Sequence, residues 1–96
     1  MNSSVTQAIK EQKIIELHYH NYRRTVEPHA YGRNSNGEEV LRCYQITGGS
    51  KSGERVGWKL LKIRDVFLLQ VTSHCFIVRQ DYKRGDSAMV FIFCEQ

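Results

Sequence analysis

The chain has 96 residues, enough for one domain with one modest core and too few for a deep substrate cavity. Fourteen Lys and Arg against ten Asp and Glu give a net charge of +4, a mild excess that suits an acidic partner without specifying one. No apolar run approaches the roughly 18 residues of a membrane-spanning helix, the polar N-terminus lacks the apolar stretch of a signal peptide, and three cysteines without a CxxC pair argue against a disulfide framework, so a reduced, cytoplasmic protein is expected.

Ser3 or Ser4 is placed to cap a short helix over residues 5–13, with Val5, Ala8 and Ile9 at helical spacing and Gln7 at the capping-box position after Ser4. Residues 14–20 alternate, Ile15, Leu17 and Tyr19 on one face and Glu16, His18 and His20 on the other, which predicts a half-buried strand. A hairpin turn is expected at Asn21-Tyr22-Arg23. A second strand follows over residues 24–31, where Pro28 demands an edge, an end or a bulge. Asn36-Gly37 marks a tight turn into a third strand over residues 39–47. On it Leu41 and Cys43 face one way, and Val40, Arg42, Tyr44 and Ile46 the other.

Residues 48–57 form a loop with four glycines and two serines. Strands are predicted over 58–63 and 66–72, with a short extension at 76–78. Near the C-terminus Asp86 can cap a helix in which Met89, Ile92 and Phe93 share a face; a strand over 89–94 fits the same run, and the short helix is the expectation. One helix followed by five closely spaced strands predicts a mainly β domain built on a small, strongly bent sheet, closing toward a barrel.

Candidate function concentrates between Glu38 and Asp65. Arg42 and Tyr44 sit two apart on one strand and therefore on one face. The loop adds Lys51 and Arg55, and Trp58-Lys59 opens the next strand. Cations, an aromatic ring and free backbone amides suit an anionic ligand with a flat ring, either a nucleotide or single-stranded nucleic acid. The ligand-binding candidates are Arg42, Tyr44 and Lys59, with Arg24, Lys51, Arg55 and Arg64 as electrostatic support. An outward polar strand face with Tyr44 packed under the helix is the plain structural alternative. Trp58 is read first as a core anchor.

Other motifs lead away from catalysis. Lys51 precedes Gly53 with no following helix, so the glycine loop is not a phosphate-binding loop of the NTPase kind. His18 and His20 share a strand face, but no zinc spacing is present, and the cysteines lie in apolar settings that favour burial over nucleophilic work. No cofactor or metal is expected.

Several segments together give a family resemblance: Ala8-Ile9-Lys10 leading into Ile14-Ile15-Glu16-Leu17-His18-Tyr19, then Arg24-Thr25-Val26-Glu27-Pro28-His29-Ala30-Tyr31-Gly32, Leu41-Arg42-Cys43-Tyr44-Gln45 and Gly57-Trp58-Lys59-Leu60-Leu61-Lys62-Ile63. In these the chain resembles a WYL domain, particularly the short stand-alone variants from bacteria and their phages. The namesake Trp-Tyr-Leu triplet aligns with Glu39-Val40-Leu41, and Lys59 keeps the leading positive charge of the family's following strand. The resemblance implies an SH3-like or Sm-like β-barrel that binds nucleic acid or a nucleotide-type effector in transcriptional regulation or antiviral defence. The competing expectation is a protein-interaction adaptor or homodimer.

Overall fold

The computed structural model describes residues 2–96. Helix α1 (Ser3–Glu11) is capped by Asn2, not by Ser3 or Ser4: the Asn2 side chain accepts the Val5 N–H at 3.1 Å. The helix ends at Glu11, where Gln12 turns into the left-handed region and donates its N–H back to the Ala8 and Ile9 carbonyls. Six strands follow: β1 (Lys13–Tyr19), β2 (Tyr22–Arg33), β3 (Glu39–Gly48), β4 (Gly57–Lys62), β5 (Val66–Cys75) and β6 (Phe91–Glu95). The β1–β2 turn is His20-Asn21, one position earlier than the sequence suggests, because both residues take positive φ and Tyr19 pairs directly with Tyr22.

The predicted C-terminal helix is replaced by β6. Asp86 does accept the Ala88 N–H, at 2.9 Å, but only a turn forms there. Pairing with Ala30, Tyr31, Gly32 and Arg33 of β2 then draws the apolar run 91–95 into the sheet. This is a tertiary partner overriding an ambiguous local pattern.

All pairings are antiparallel, in the order β4-β3-β2-β1-β5 with β6 added to β2. If flat, five strands at about 4.8 Å spacing would hold β4 and β5 about 19 Å apart. A single 3-10 turn, Ile63–Asp65, joins them, and even a fully extended link of that length reaches only about 14 Å. The sheet must therefore curl, and the domain is nearly isometric at 28 × 26 × 25 Å. It curls without closing: β4 and β5 share no ladder among the described residues, so the structure is a six-stranded bent sheet rather than the expected five-stranded closed barrel.

The concave face holds the main core. Ile15, Leu17, Tyr19, Val26, Tyr31, Leu41, Cys43 and Leu61 meet Val5, Ala8 and Ile9 of α1 there. Pro28 sits within β2 at a register shift against β3, the bulge that its missing N–H calls for. The convex face carries a second cluster of Ala30, Val40 and Met89, with Tyr82 and Ile92 against it. Met89 and Tyr82 belong to residues 76–90, a strap that links β5 to β6 and lies over the convex face. Among the described residues no helix is long and apolar enough to cross a membrane.

Candidate functional site

Strand alternation divides the sequence candidates between two faces. Arg42 pairs with Leu60 and Tyr44 with Trp58, which puts Arg42, Tyr44 and Trp58 on the convex face. Lys59 pairs with buried Cys43 and so belongs to the concave face, with Arg24 and Gln45. Lys51 and Arg55 are exposed on the loop. Arg64 lies on the 3-10 turn, where it pairs with Glu38 at 2.9 Å. The expected trio of Arg42, Tyr44 and Lys59 is thus split by the thickness of the sheet, with Arg42 and Tyr44 together and Lys59 behind them. Tyr44 is not under the helix, which packs on the other face.

The strap docks onto the convex face through charges and rings. Arg42 donates to Asp86 from Nε at 2.6 Å and from Nη2 at 3.3 Å. Arg79 grips Glu27 in the same bidentate way, at 2.8 and 3.3 Å, and its guanidinium lies 3.8 Å from the centre of the Tyr44 ring. The Asp86 carboxyl is held below its ordinary range, first by the Arg42 hydrogen bond, and Arg79 is held above its own, first by Glu27.

Between these two latches the fully buried His29 organises an aromatic group. Its ring lies 4.8 Å from Trp58, 5.2 Å from Phe76 and 5.1 Å from Tyr82. His29 Nε2 accepts the Arg79 N–H at 3.2 Å, so Nδ1 carries the proton and donates to the Glu27 carbonyl at 2.9 Å. That pattern requires the neutral ring, and burial in turn pushes the His29 pKa below 6.5.

Trp58 is half-buried in this group rather than in the main core, and its indole N–H donates to Asp81 at 2.9 Å. Beside it lies an open cleft of about 440 Å³, within the size range of small-molecule sites. Arg42 and Trp58 line it from the sheet, and Tyr82, Lys83, Arg84 and Asp86 from the strap. Three cations face two carboxylates, Asp81 and Asp86, and both carboxylates are engaged, with Trp58 and Arg42 respectively. Lys83 and Arg84 are exposed at the rim.

Sequence reasoning passed over the strap. Its signal was the cluster Arg79-Gln80-Asp81-Tyr82-Lys83-Arg84-Gly85-Asp86, which holds three cations, two acids and a tyrosine within eight residues. The helix reading of the C-terminus drew Asp86 into a capping role and hid that cluster.

Among the described residues no group of three or more His, Cys, Asp or Glu is arranged to hold a metal ion. His18 lies near Phe67, and His20 sits in the turn, 3.8 Å from Asp65. Cys43 is wholly buried and its thiol is pushed up to about 12 by that burial, so it is a packing group. No family model matches the chain, and neither a curated protein nor a solved structure matches it.

Proposed function

We propose that this protein is a cytoplasmic, non-catalytic binding module of WYL type that takes a nucleotide-type effector or a short single-stranded nucleic acid in the cleft between β3–β4 and the strap. One observation carries the reading: a tryptophan, a tyrosine and an arginine line a single cleft with Lys83 and Arg84 at its rim. A base stacked on Trp58 or Tyr82 contributes about 1–3 kcal/mol, and the rim cations supply the attraction for phosphate. The SH3-like or Sm-like relationship rests on a helix followed by a bent antiparallel sheet whose end strands are joined by one 3-10 turn. A role in transcriptional regulation or phage and bacterial defence rests on the WYL resemblance.

Trp58 is the chain's single tryptophan, so its fluorescence reports directly on the cleft. Titration with mononucleotides and mixed-sequence oligonucleotides should quench it saturably, and oligonucleotide affinity should fall steeply with salt. Unaltered affinity in an Arg42→Ala, Lys83→Ala, Arg84→Ala variant would sink the proposal. The adaptor reading draws on end strand β5, where Phe67 is 50% and Leu68 70% exposed. Its occupant would be a second copy of the chain, and sedimentation showing a dimer with no nucleotide-induced quenching would favour it.

A further inference from the structure

Arg24 is the one buried arginine among the described residues. Arg23, Arg33, Arg42, Arg64, Arg79 and Arg84 each have a carboxylate partner, although most of them are well exposed. Arg24 is 3% exposed and, among the described residues, no carboxylate pairs with it. Its Nη1 donates to Gln45 Oε1 at 3.3 Å, a long bond to a neutral oxygen. Its Nε is buried with no hydrogen-bond partner, and among the described residues the Nη1 bond to Gln45 is the guanidinium's one hydrogen bond. The free edge is therefore the side-on pair Nε and Nη2, the edge with which arginine grips an oxyanion through two parallel bonds. Burying a guanidinium without a counter-ion is costly, and desolvation pulls its pKa down accordingly.

Rings and loop backbone enclose the Arg24 guanidinium in a chamber-like niche at one end of the concave face, closed over by direct packing. Tyr19 and Tyr22 flank the guanidinium, with ring centres 5.1 and 5.8 Å away. The roof is the start of the glycine loop. Gln45 Nε2 donates to the Gly49 carbonyl at 3.1 Å, and the Tyr22 ring occupies the space where a Gly49 Cβ would lie, 2.1 Å from that position. A Cβ on Gly48 would come within 2.3 Å of the Arg23 carbonyl and 2.7 Å of Arg24 Cα, so only glycine lets the loop descend this far. Lys59, on the same face, ties the rest of the loop down through Ser50 Oγ at 3.3 Å and the Glu54 carbonyl at 2.6 Å. A second cation therefore lies on this face, close enough for both it and Arg24 to act on the Cys43 thiol, and its hydrogen bonds go to neutral oxygens.

We propose that this chamber is an oxyanion site for a phosphate group, gripped by Arg24 Nε and Nη2 and supported by Lys59, with Tyr22 and the Gly48-Gly49 backbone as the movable cover. It lies on the opposite face of the sheet from the Trp58 cleft and does not depend on that cleft's function. Entry needs only a swing of the 40% exposed Tyr22 ring and a lift of the loop. When phosphate is bound, the orphaned Nε–H gains an acceptor and Lys59 exchanges loop oxygens for an anion.

The test uses the whole chain and inorganic phosphate, with chloride at matched ionic strength as control. In the arginine side-chain region of the ¹⁵N spectrum, the Arg24 Nε–H resonance should shift saturably with phosphate and stay in place with chloride. Arg24→Gln should weaken phosphate binding at this resonance by about tenfold or more, the scale of one charge-assisted bond, while Lys10→Ala, at an exposed position of α1, should leave it unchanged. If Arg24→Gln fails to fold, Tyr22→Ala decides, since it keeps the guanidinium and opens the cover, and should bind phosphate at least as tightly and faster. An unmoved Nε–H resonance, or equal phosphate affinity in the wild type and Arg24→Gln, would overturn the site and leave Arg24 an internal cation–π group.

Discussion

Replacing Asp86 by Asn tests whether the strap is held by charge or merely lies on the sheet. The Asp86 side chain is 9% exposed and that of Arg42 26%, so the pair is partly shielded from water. Asn keeps one acceptor oxygen and its contact with the Ala88 N–H, but loses the negative charge and the second oxygen that receives Arg42. Hydrogen bonds to charged groups are worth about 1.5–3 kcal/mol. Since Arg42 can partly resolvate, we take about 2 kcal/mol for the loss, equivalent to a fall in Tm of roughly 8–16 °C for a domain of this size. Urea denaturation of wild type, Asp86→Asn, Arg42→Met and the double variant should give a coupling energy of about 1–2 kcal/mol. The sign with pH is fixed. Because the folded carboxyl titrates below its ordinary value of 3.8, the stabilisation is complete above that value and fades as pH falls through the lower folded value. The gap between wild type and Asp86→Asn should therefore narrow in acid. A coupling energy near zero at neutral pH, or a gap undiminished in acid, would refute the latch.

Other outcomes follow from the same geometry. Because His29 is held neutral with a pKa below 6.5, it stabilises the fold fully above that value and progressively less as pH falls through its folded value; a proton NMR titration placing His29 at or above 6.5 would contradict this. Iodoacetamide should modify exposed Cys75 well before buried Cys43, as read by peptide mass spectrometry, and equal rates would mean the core is not closed. Gly32→Ala should destabilise by about 1–3 kcal/mol or more, because a Cβ there would lie 2.2 Å from the Phe91 carbonyl and push β6 off β2; an unchanged denaturation midpoint would show that β6 is not seated as described.

What the sequence made legible was what alternation and turn chemistry control. Ile15, Leu17 and Tyr19 line the core as their period of two requires, and Asn36-Gly37 turns where expected, with Asn34 Oδ1 accepting from Asn36 and Glu38. Arg42 and Tyr44 share a face for the same reason. Lys59 was grouped with them because it opens the next strand beside Trp58 and keeps the leading positive charge of the WYL pattern, yet neighbours along a strand point to opposite faces. The strap was invisible because its order comes from long-range partners, Glu27 for Arg79 and Arg42 for Asp86, which no local pattern encodes. Arg24 was read as a supporting cation of the same ligand site as Arg42 and Tyr44; the approach of Gly48 and Gly49 makes it an interior residue on the other face.

The position of Pro28 has a consequence for how the sheet comes apart. β1 pairs with β2 from Tyr22 to Val26, and β6 pairs with it from Ala30 to Arg33, so a residue without an N–H sits in the gap between two partners on one side of the strand. Gln96 caps that gap, its side chain donating to the Pro28 carbonyl at 3.1 Å and to the Ile9 carbonyl at 2.8 Å. The strand is thus shared by two ladders that have no hydrogen bond in common on that side, with one glutamine as the bracket. Amide hydrogen exchange should see β2 as two units, the stretch paired with β6 opening on its own while the β1 hairpin stays protected.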